Sequence, residues 1–460
     1  MAEAREASRP AGVGTAGALY RKLSPGPARP ALEVASHQRA RICGAMIAAV
    51  AERGYNAVTV RELVRLAGVS THTFYEHFGG KEGCLLGTYE LAMRRAARRV
   101  VASQNGEDDS RARLRLAFST LAAELARQPG AARLALLEAP PNLGPSALAR
   151  MRRADGVLEA VARGSLADAA GGVALPPLLA KGIVAGLARV VRARLLEGRE
   201  RELPELAEEL TEWVLCCCSE AVEALDRLEP APALAPTGQL DFGGAAASGE
   251  EEAPGDERAL ILAAVERLAA AEGYRQLTVP RIRAMAGVSR GSFDAHFTGV
   301  SDCFLAACEL RAGRLFGEAF RAGASASSWQ GGVHRASVAL CAHIARQPAP
   351  ARLPLAEIVA AGQEGMRCRE RLIAAAAERL RAAAPSAQRP GELVTEASAG
   401  AIWGILEHHV AAGRARSLPH AAATLSLLAI APAVGVSAAV EAIRREQQRG
   451  EIAGCAMGAA

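Results

Sequence analysis

Residues 59–81 read TVRELVRLAGVSTHTFYEHFGGK, and the fold of the whole chain follows from how this stretch divides. Thr59 is a good helix N-cap, and Glu62 three residues on completes a capping box. Val60, Leu63, Val64 and Ala67 then recur at helical spacing. Gly68-Val69 breaks that helix, and Ser70 is placed to cap a second one over Thr71 to His77. On the second helix Phe74 and Phe78 lie four apart and face inward. Its other side carries Thr71, His72, Thr73 and Tyr75, hydroxyl and imidazole groups of a size that reaches base edges and phosphates. Lys81 opens a further helix near the place where a phosphate would pass. A helix, a tight turn and a short polar helix together make a DNA-binding helix-turn-helix.

Working outward, Ser36 to Arg53 supplies a preceding helix with Ile42, Met46, Ile47 and Val50 as its apolar stripe and Gly54 as its stop. The words ERGYNAVTVRELVRLAGVS, TFYEHF and KEGCL now stand at fixed spacing. From Ile42 to Leu85 this pattern is similar to the N-terminal domain of the TetR family of transcriptional regulators. The resemblance implies a DNA contact set of Thr59, Ser70, Thr71, His72, Thr73, Tyr75, His77 and Lys81. In that family the positions of Tyr75 and Lys81 commonly touch phosphate, and Arg39 and Arg41 sit where it is often met. It also implies that the helix after Glu82, which ends in the stripe Arg94, Arg95, Arg98 and Arg99, links the head to a helical domain. That domain would hold a ligand pocket and a dimer face, the latter on Pro176–Glu197 and Pro204–Leu228.

The plan then repeats. AERGYNAVTVRELVRLAGVS from Ala51 is echoed by AAEGYRQLTVPRIRAMAGVS from Ala270, an offset of 270 − 51 = 219. The same offset puts Phe74 on Phe293 and Phe78 on Phe297, and ARQP at Ala126 on ARQP at Ala345. Later it falls to 215, with Leu203-Pro204 on Leu418-Pro419. The expected fold is therefore all-α, two tandem units, each a three-helix head with a helical-bundle domain. Residues 1–35 are read as a disordered tail and 36–101 as head one. Residues 102–228 are its helical domain and 229–256 a Pro/Gly-rich linker. Residues 257–320 are head two, 321–447 its helical domain and 448–460 a C-terminal tail.

Composition sets limits on the rest. The chain has 460 residues, 22% charged, with a net charge of +5, so any affinity for nucleic acid must come from local patches. No secretory signal is visible near the N-terminus, so the expected compartment is the cytoplasm. Ten cysteines occur without C-x-x-C spacing or a Cys/His cluster, which argues against zinc and against a disulfide framework. Cys216-Cys217-Cys218 reads as small residues in a packed helix. Ala421 to Val440 carries no charge but is rich in Ala, Ser and Gly, and reads as buried interface rather than a membrane span. No hydrolase, phosphate-loop or zinc-protease motif is present, and neither enzymatic activity nor a cofactor or metal is expected.

The two heads are unequal. Tyr75 becomes Asp294, Lys81 becomes Val300, and His72 becomes Gly291, which weakens the short helix by about 1 kcal/mol. Arg290, in place of Thr71, is the compensating cation, and Ser292 and His296 complete the candidate contacts of copy two. Over residues 37–102 the charge is 10 − 5 = +5, and over the matched 256–321 it is 9 − 8 = +1. Copy one is therefore expected to be the main DNA reader of a ligand-responsive repressor. Its partners would be a double-stranded operator and a small apolar effector, with either a homodimer or an intramolecular pseudo-dimer as the assembly. The rival expectation is a partner-binding or scaffold protein whose heads have lost affinity for DNA.

Overall fold

A computed structural model describes residues 31–458 except 144, 170–171, 173–174, 219–224, 226–227 and 229–255. The expected linker falls almost wholly outside the described residues, as does most of the N-terminal tail. Among the described residues all regular structure is helical. The chain forms two compact units. One comprises Met1–Arg99 with Ala123–Leu158, and the other Val100–Ala122 with Glu159–Ala460.

Each head is built by the same local chemistry. In copy one, α1 (Ala31–Arg53) is followed by α2 (Val60–Ala67), α3 (Thr71–His77) and α4 (Lys81–Ser103). The Thr59 hydroxyl accepts from the Glu62 N–H at 3.3 Å, Gly68 turns the chain at φ 60°, and Ser70 Oγ accepts from the Thr73 N–H at 3.0 Å. That positive φ is why a glycine stands between the helices. Ile42, Met46, Leu63, Phe74, Phe78 and Leu85 fill the core. After α5 (Ser110–Arg127), α6 (Pro145–Ala169), α7 (Pro177–Glu197) and α8 (Leu203–Cys218) complete copy one.

Copy two repeats the head in α9 (Glu257–Glu272), α10 (Val279–Ala286), α11 (Arg290–His296) and α12 (Val300–Ala324). Its core holds Ile261, Val265, Ile282, Phe293, Phe297 and Phe304, the counterparts of the copy-one set. Gly287 turns at φ 70° and Ser289 Oγ accepts from the Ser292 N–H at 3.0 Å. Thr278 stands at the N-cap position of α10, but its side chain makes no cap bond. The capping-box glutamate is replaced there by Arg281, whose guanidinium turns away to Glu272 and to the Gln276 carbonyl at 3.1 Å. The copy-two body follows as α13 (Trp329–Arg346), α14 (Gly362–Ala383), α15 (Glu392–Ala411), α16 (Ala422–Val434) and α17 (Val436–Gly458).

Two boundaries differ from the sequence reading. The first helix starts at Ala31 rather than Ser36, and the last runs on to Gly458 through most of the expected tail. The uncharged stretch 421–440 is broken at Gly435, φ 83°. Pro432 is accommodated in the last turn of α16. By length and composition 415–434 could cross a membrane, but Leu425, Leu427, Leu428, Ile430 and Ala431 are buried against protein.

Copy one and copy two meet inside the second unit, where α7 crosses α15 with α8 and α16 beside them. The crossing is close enough to exclude side chains. A Cβ on Gly400 would stand 2.5 Å from the Arg189 Cβ, and one on Gly404 would collide with Ala185. Under the 215-residue offset, Ala185 corresponds to Gly400 and Arg189 to Gly404, so the two contacts exchange under a pseudo-two-fold axis. Cys216 Sγ lies 3.3 Å from the carbonyl of Ala431, its own counterpart, as a residue on such an axis must. Burial pushes the Cys218 thiol up to about 12 and that of Cys217 well above its ordinary value, so this triplet is packing rather than reactive thiolate.

In the copy-two body, Ser426 Oγ donates to the Ala422 carbonyl at 2.7 Å and lies 2.9 Å from His334 Nδ1. The hydroxyl proton is committed, so His334 Nδ1–H is the donor to Ser426. Burial lowers the His334 pKa from 6.5 to about 4, against the opposing charge of Glu446. The fold thus holds the neutral ring, and the unfolded chain binds the extra proton between those values. This stabilisation is whole above pH 6.5 and is lost as pH falls from about 6.5 to about 4, by on the order of 3 kcal/mol. His334→Gln, which keeps the donor and removes the titration, is expected to flatten that part of a melting-temperature-versus-pH curve. An unchanged slope would remove His334 as its cause.

Candidate nucleic-acid interface

The outward face of α3 is largely set by its own cap. Ser70 Oγ and Thr73 Oγ1 lie 2.9 Å apart, so these hydroxyls are held together at the helix start. Thr71 is exposed, and His72 is exposed with its ring 3.4 Å from Glu76. Tyr75 projects from the helix with 54% of its surface exposed, its ring edge-on to the buried Phe74 at 5.4 Å. Thr71, His72 and Tyr75 therefore form the accessible polar surface, with Thr59 at the N-terminus of α2.

His77 and Lys81 are turned inward. His77 Nε2 lies 3.5 Å from Gln38 Oε1, and burial, helped by Arg39, lowers its pKa. Lys81 Nζ donates to the carbonyls of Tyr55 at 3.2 Å and Val58 at 3.0 Å, and lies 4.2 Å from the centre of the Tyr55 ring. Burial lowers its pKa as well. In this structure its ammonium closes the loop between α1 and α2.

The two arginines of α1 also have internal work. Arg39 donates to the His77 carbonyl at 3.2 Å and stacks 4.5 Å over Phe78, while Arg41 donates to the carbonyls of Ala67 and Gly68, the latter at 3.0 Å. Each guanidinium therefore caps the C-terminus of one of the two motif helices, where orphan carbonyls and the helix dipole favour a cation. Sequence reasoning placed both at phosphate; their reach to α2 and α3 depends on how α1 packs across the motif. On α4, Arg95 and Arg99 pair with the buried carboxylate of Glu124 at 3.6 and 2.8 Å, which divides the expected basic stripe.

The copy-two face is more acidic. Arg290 is exposed but pairs along α11 with Asp294 at 3.4 Å, and Ser292 Oγ donates to Glu257. His296 is exposed. A phosphate approaching α11 would meet two carboxylates beside one cation.

Behind each head a π-helical turn, Leu134–Glu138 in copy one and Leu353–Glu357 in copy two, ends in a glutamate that sequence reasoning missed. Glu138 Oε2 accepts the Tyr55 N–H at 3.1 Å, and Glu357 Oε2 accepts the Tyr274 N–H at 3.3 Å. Both pairs lie 83 residues apart, so this tie between the head and the next segment is part of the repeat. Its signal in the sequence was available: Glu138 maps on Glu357 at the same offset as the heads.

The copy-two body also holds a cavity of about 470 Å³ lined mainly by apolar groups, including Phe316, Phe320, Trp329, Val333, Leu340 and Trp403. Ser327 and Ser328 line both this cavity and a polar groove of about 640 Å³ that carries Gln388, Arg445, Glu446 and Arg449.

The model of the bacterial regulatory proteins of the tetR family matches residues 45–88 and, separately, 261–307. Each head is a tetR-family domain. A chain carrying two of them is a transcription regulator. No curated protein matches the chain. Similar solved structures include the fatty acid degradation regulator FadR from Bacillus halodurans and FadR from Bacillus subtilis in complex with stearoyl-CoA. Each is 20% identical, covers 38% of this chain and 96% of its own, and overlays with a TM-score of 0.36.

Removing Glu138 would leave the buried Tyr55 N–H of the first tetR head without its acceptor. Glu138→Ala is expected to destabilise that head by about 1–3 kcal/mol. Glu357→Ala is expected to cost less, since Glu357 is more exposed than Glu138 and the Tyr274 N–H it accepts is only part-buried. Denaturant titration of the two variants checks the order, and equal losses would refute it.

Proposed function

We propose that this chain is a ligand-responsive repressor whose first head is the main reader of a double-stranded operator. The single observation that carries the assignment of the reader is the contrast between α3 and α11. At the same helical position copy one presents exposed Tyr75, and copy two presents Asp294 already paired with Arg290. Thr71, His72 and Tyr75 would make the outer contacts, with Ser70 and Thr73 holding the helix start. His77 and Lys81 would position the motif unless DNA draws the Lys81 ammonium outward. Arg290, Ser292 and His296 would contribute a weaker second contact.

The effector would enter copy two. An apolar chamber adjoining a polar groove suits an elongated molecule with an apolar body and one polar end. Binding there would favour one arrangement of the helical body over another and so shift the population competent for DNA.

Fluorescence anisotropy on a duplex selected from random sequence would test the reader. Tyr75→Ala is expected to weaken specific binding by about 1–3 kcal/mol, whereas Asp294→Ala should change it little or strengthen it slightly. Equal losses would mean that both heads read DNA alike. Absence of salt-dependent binding to any duplex would favour a scaffold role instead.

A further inference from the structure

We propose that the dimer face of copy one and that of copy two recognise each other and reject their own kind. A single chain is then a closed pair carrying one head of each type. Three arginines of α7 meet a carboxylate cluster of copy two. Arg189 lies 2.7 Å from Glu370 and 2.6 Å from Glu396, Arg192 lies 3.0 Å from Glu370, and Arg194 lies 3.2 Å from Glu396. Arg369 completes the cluster by joining Glu370 to Glu407 at 3.2 and 2.6 Å. Arg189, Arg369 and Glu370 are each at most 6% exposed, so these charges depend on one another for neutralisation.

The repeat shows what a face would meet in a copy of itself. At the 215-residue offset Lys181 stands where copy two has Glu396, and Arg192 where it has Glu407. Two copy-one faces would bring the α7 arginines together without the Glu396 and Glu407 carboxylates, leaving Asp155 at the place of Glu370 under the same offset. They would also replace Gly400 and Gly404 by Ala185 and Arg189 at the two points where a Cβ already collides. Two copy-two faces would avoid that collision but would bury Glu370 and Glu396 without the α7 arginines. Attraction in one pairing and repulsion in both alternatives is how an interface selects its partner. The DNA partner this implies is a duplex with two unlike half-sites rather than an inverted repeat.

The test uses the full chain without DNA, so its failure would leave the reader assignment standing. Sedimentation at micromolar concentration is expected to give one species near 47.7 kDa. Two differently tagged copies of the chain, co-expressed, are expected not to co-purify. A species of twice the mass, or co-purification of the two tags, would overturn the proposal. Glu396→Arg then decides the charge argument. It is expected to lower the melting temperature by several degrees, and adding Arg194→Glu should recover part of the loss. No recovery would overturn the charge selection.

Discussion

The close crossing of α7 and α15 is the constraint on which the second unit depends. Gly182, Gly186, Gly400 and Gly404 let two helices approach until backbone and Cβ atoms touch. At that separation the cations of one helix reach the carboxylates beside the other. Burial alone would raise the Glu370 pKa, but Arg192, Arg369 and Arg189 together hold it below the ordinary carboxylate value. Glu396, facing two arginines rather than three, is left with its pKa raised by burial. The apolar part of the bundle surrounds this cluster, and Trp213 reaches across to donate to Ser398 at 3.1 Å. Small residues make the contact possible, and the charges decide which faces make it.

A second constraint acts within each copy. The tyrosine N–H after the head's first helix finds its acceptor on a glutamate 83 residues away, at the end of a π-helical turn. A π-helical turn has a register of its own within a helix and is often found where function requires it. Here it brings a carboxylate to the base of the head. The contact ties the segment that carries the turn to the loop before α2, and it is present in both copies.

Much of the first head's face was legible from sequence because it depends on near neighbours. Ser70 and Thr73 are three apart and Phe74 and Phe78 four apart, so caps and core positions follow from helical geometry. The orientations of Lys81, Arg39 and Arg41 were not legible. All three look like free cations in the sequence. Each is spent on backbone carbonyls between 23 and 38 residues away, in contacts fixed only once α1 packs over the motif. Glu138 lay in plain view as a repeated residue, but nothing local distinguishes a lock from any other helical glutamate.

By itself the sequence determined the all-helical class, the tandem plan, the helix-turn-helix boundaries and the inequality of the two polar faces. These follow from periodicity, caps and a constant offset, which are properties of residues close together or exactly repeated. Only the tertiary structure decided that α7 lies against α15 within one chain, that an apolar cavity lies in copy two, and which charges face inward. Those outcomes depend on groups some 180 to 210 residues apart meeting at separations of about 3 Å. At that range a one-residue change such as alanine to glycine decides whether two helices can touch, and no helical period in the sequence records it.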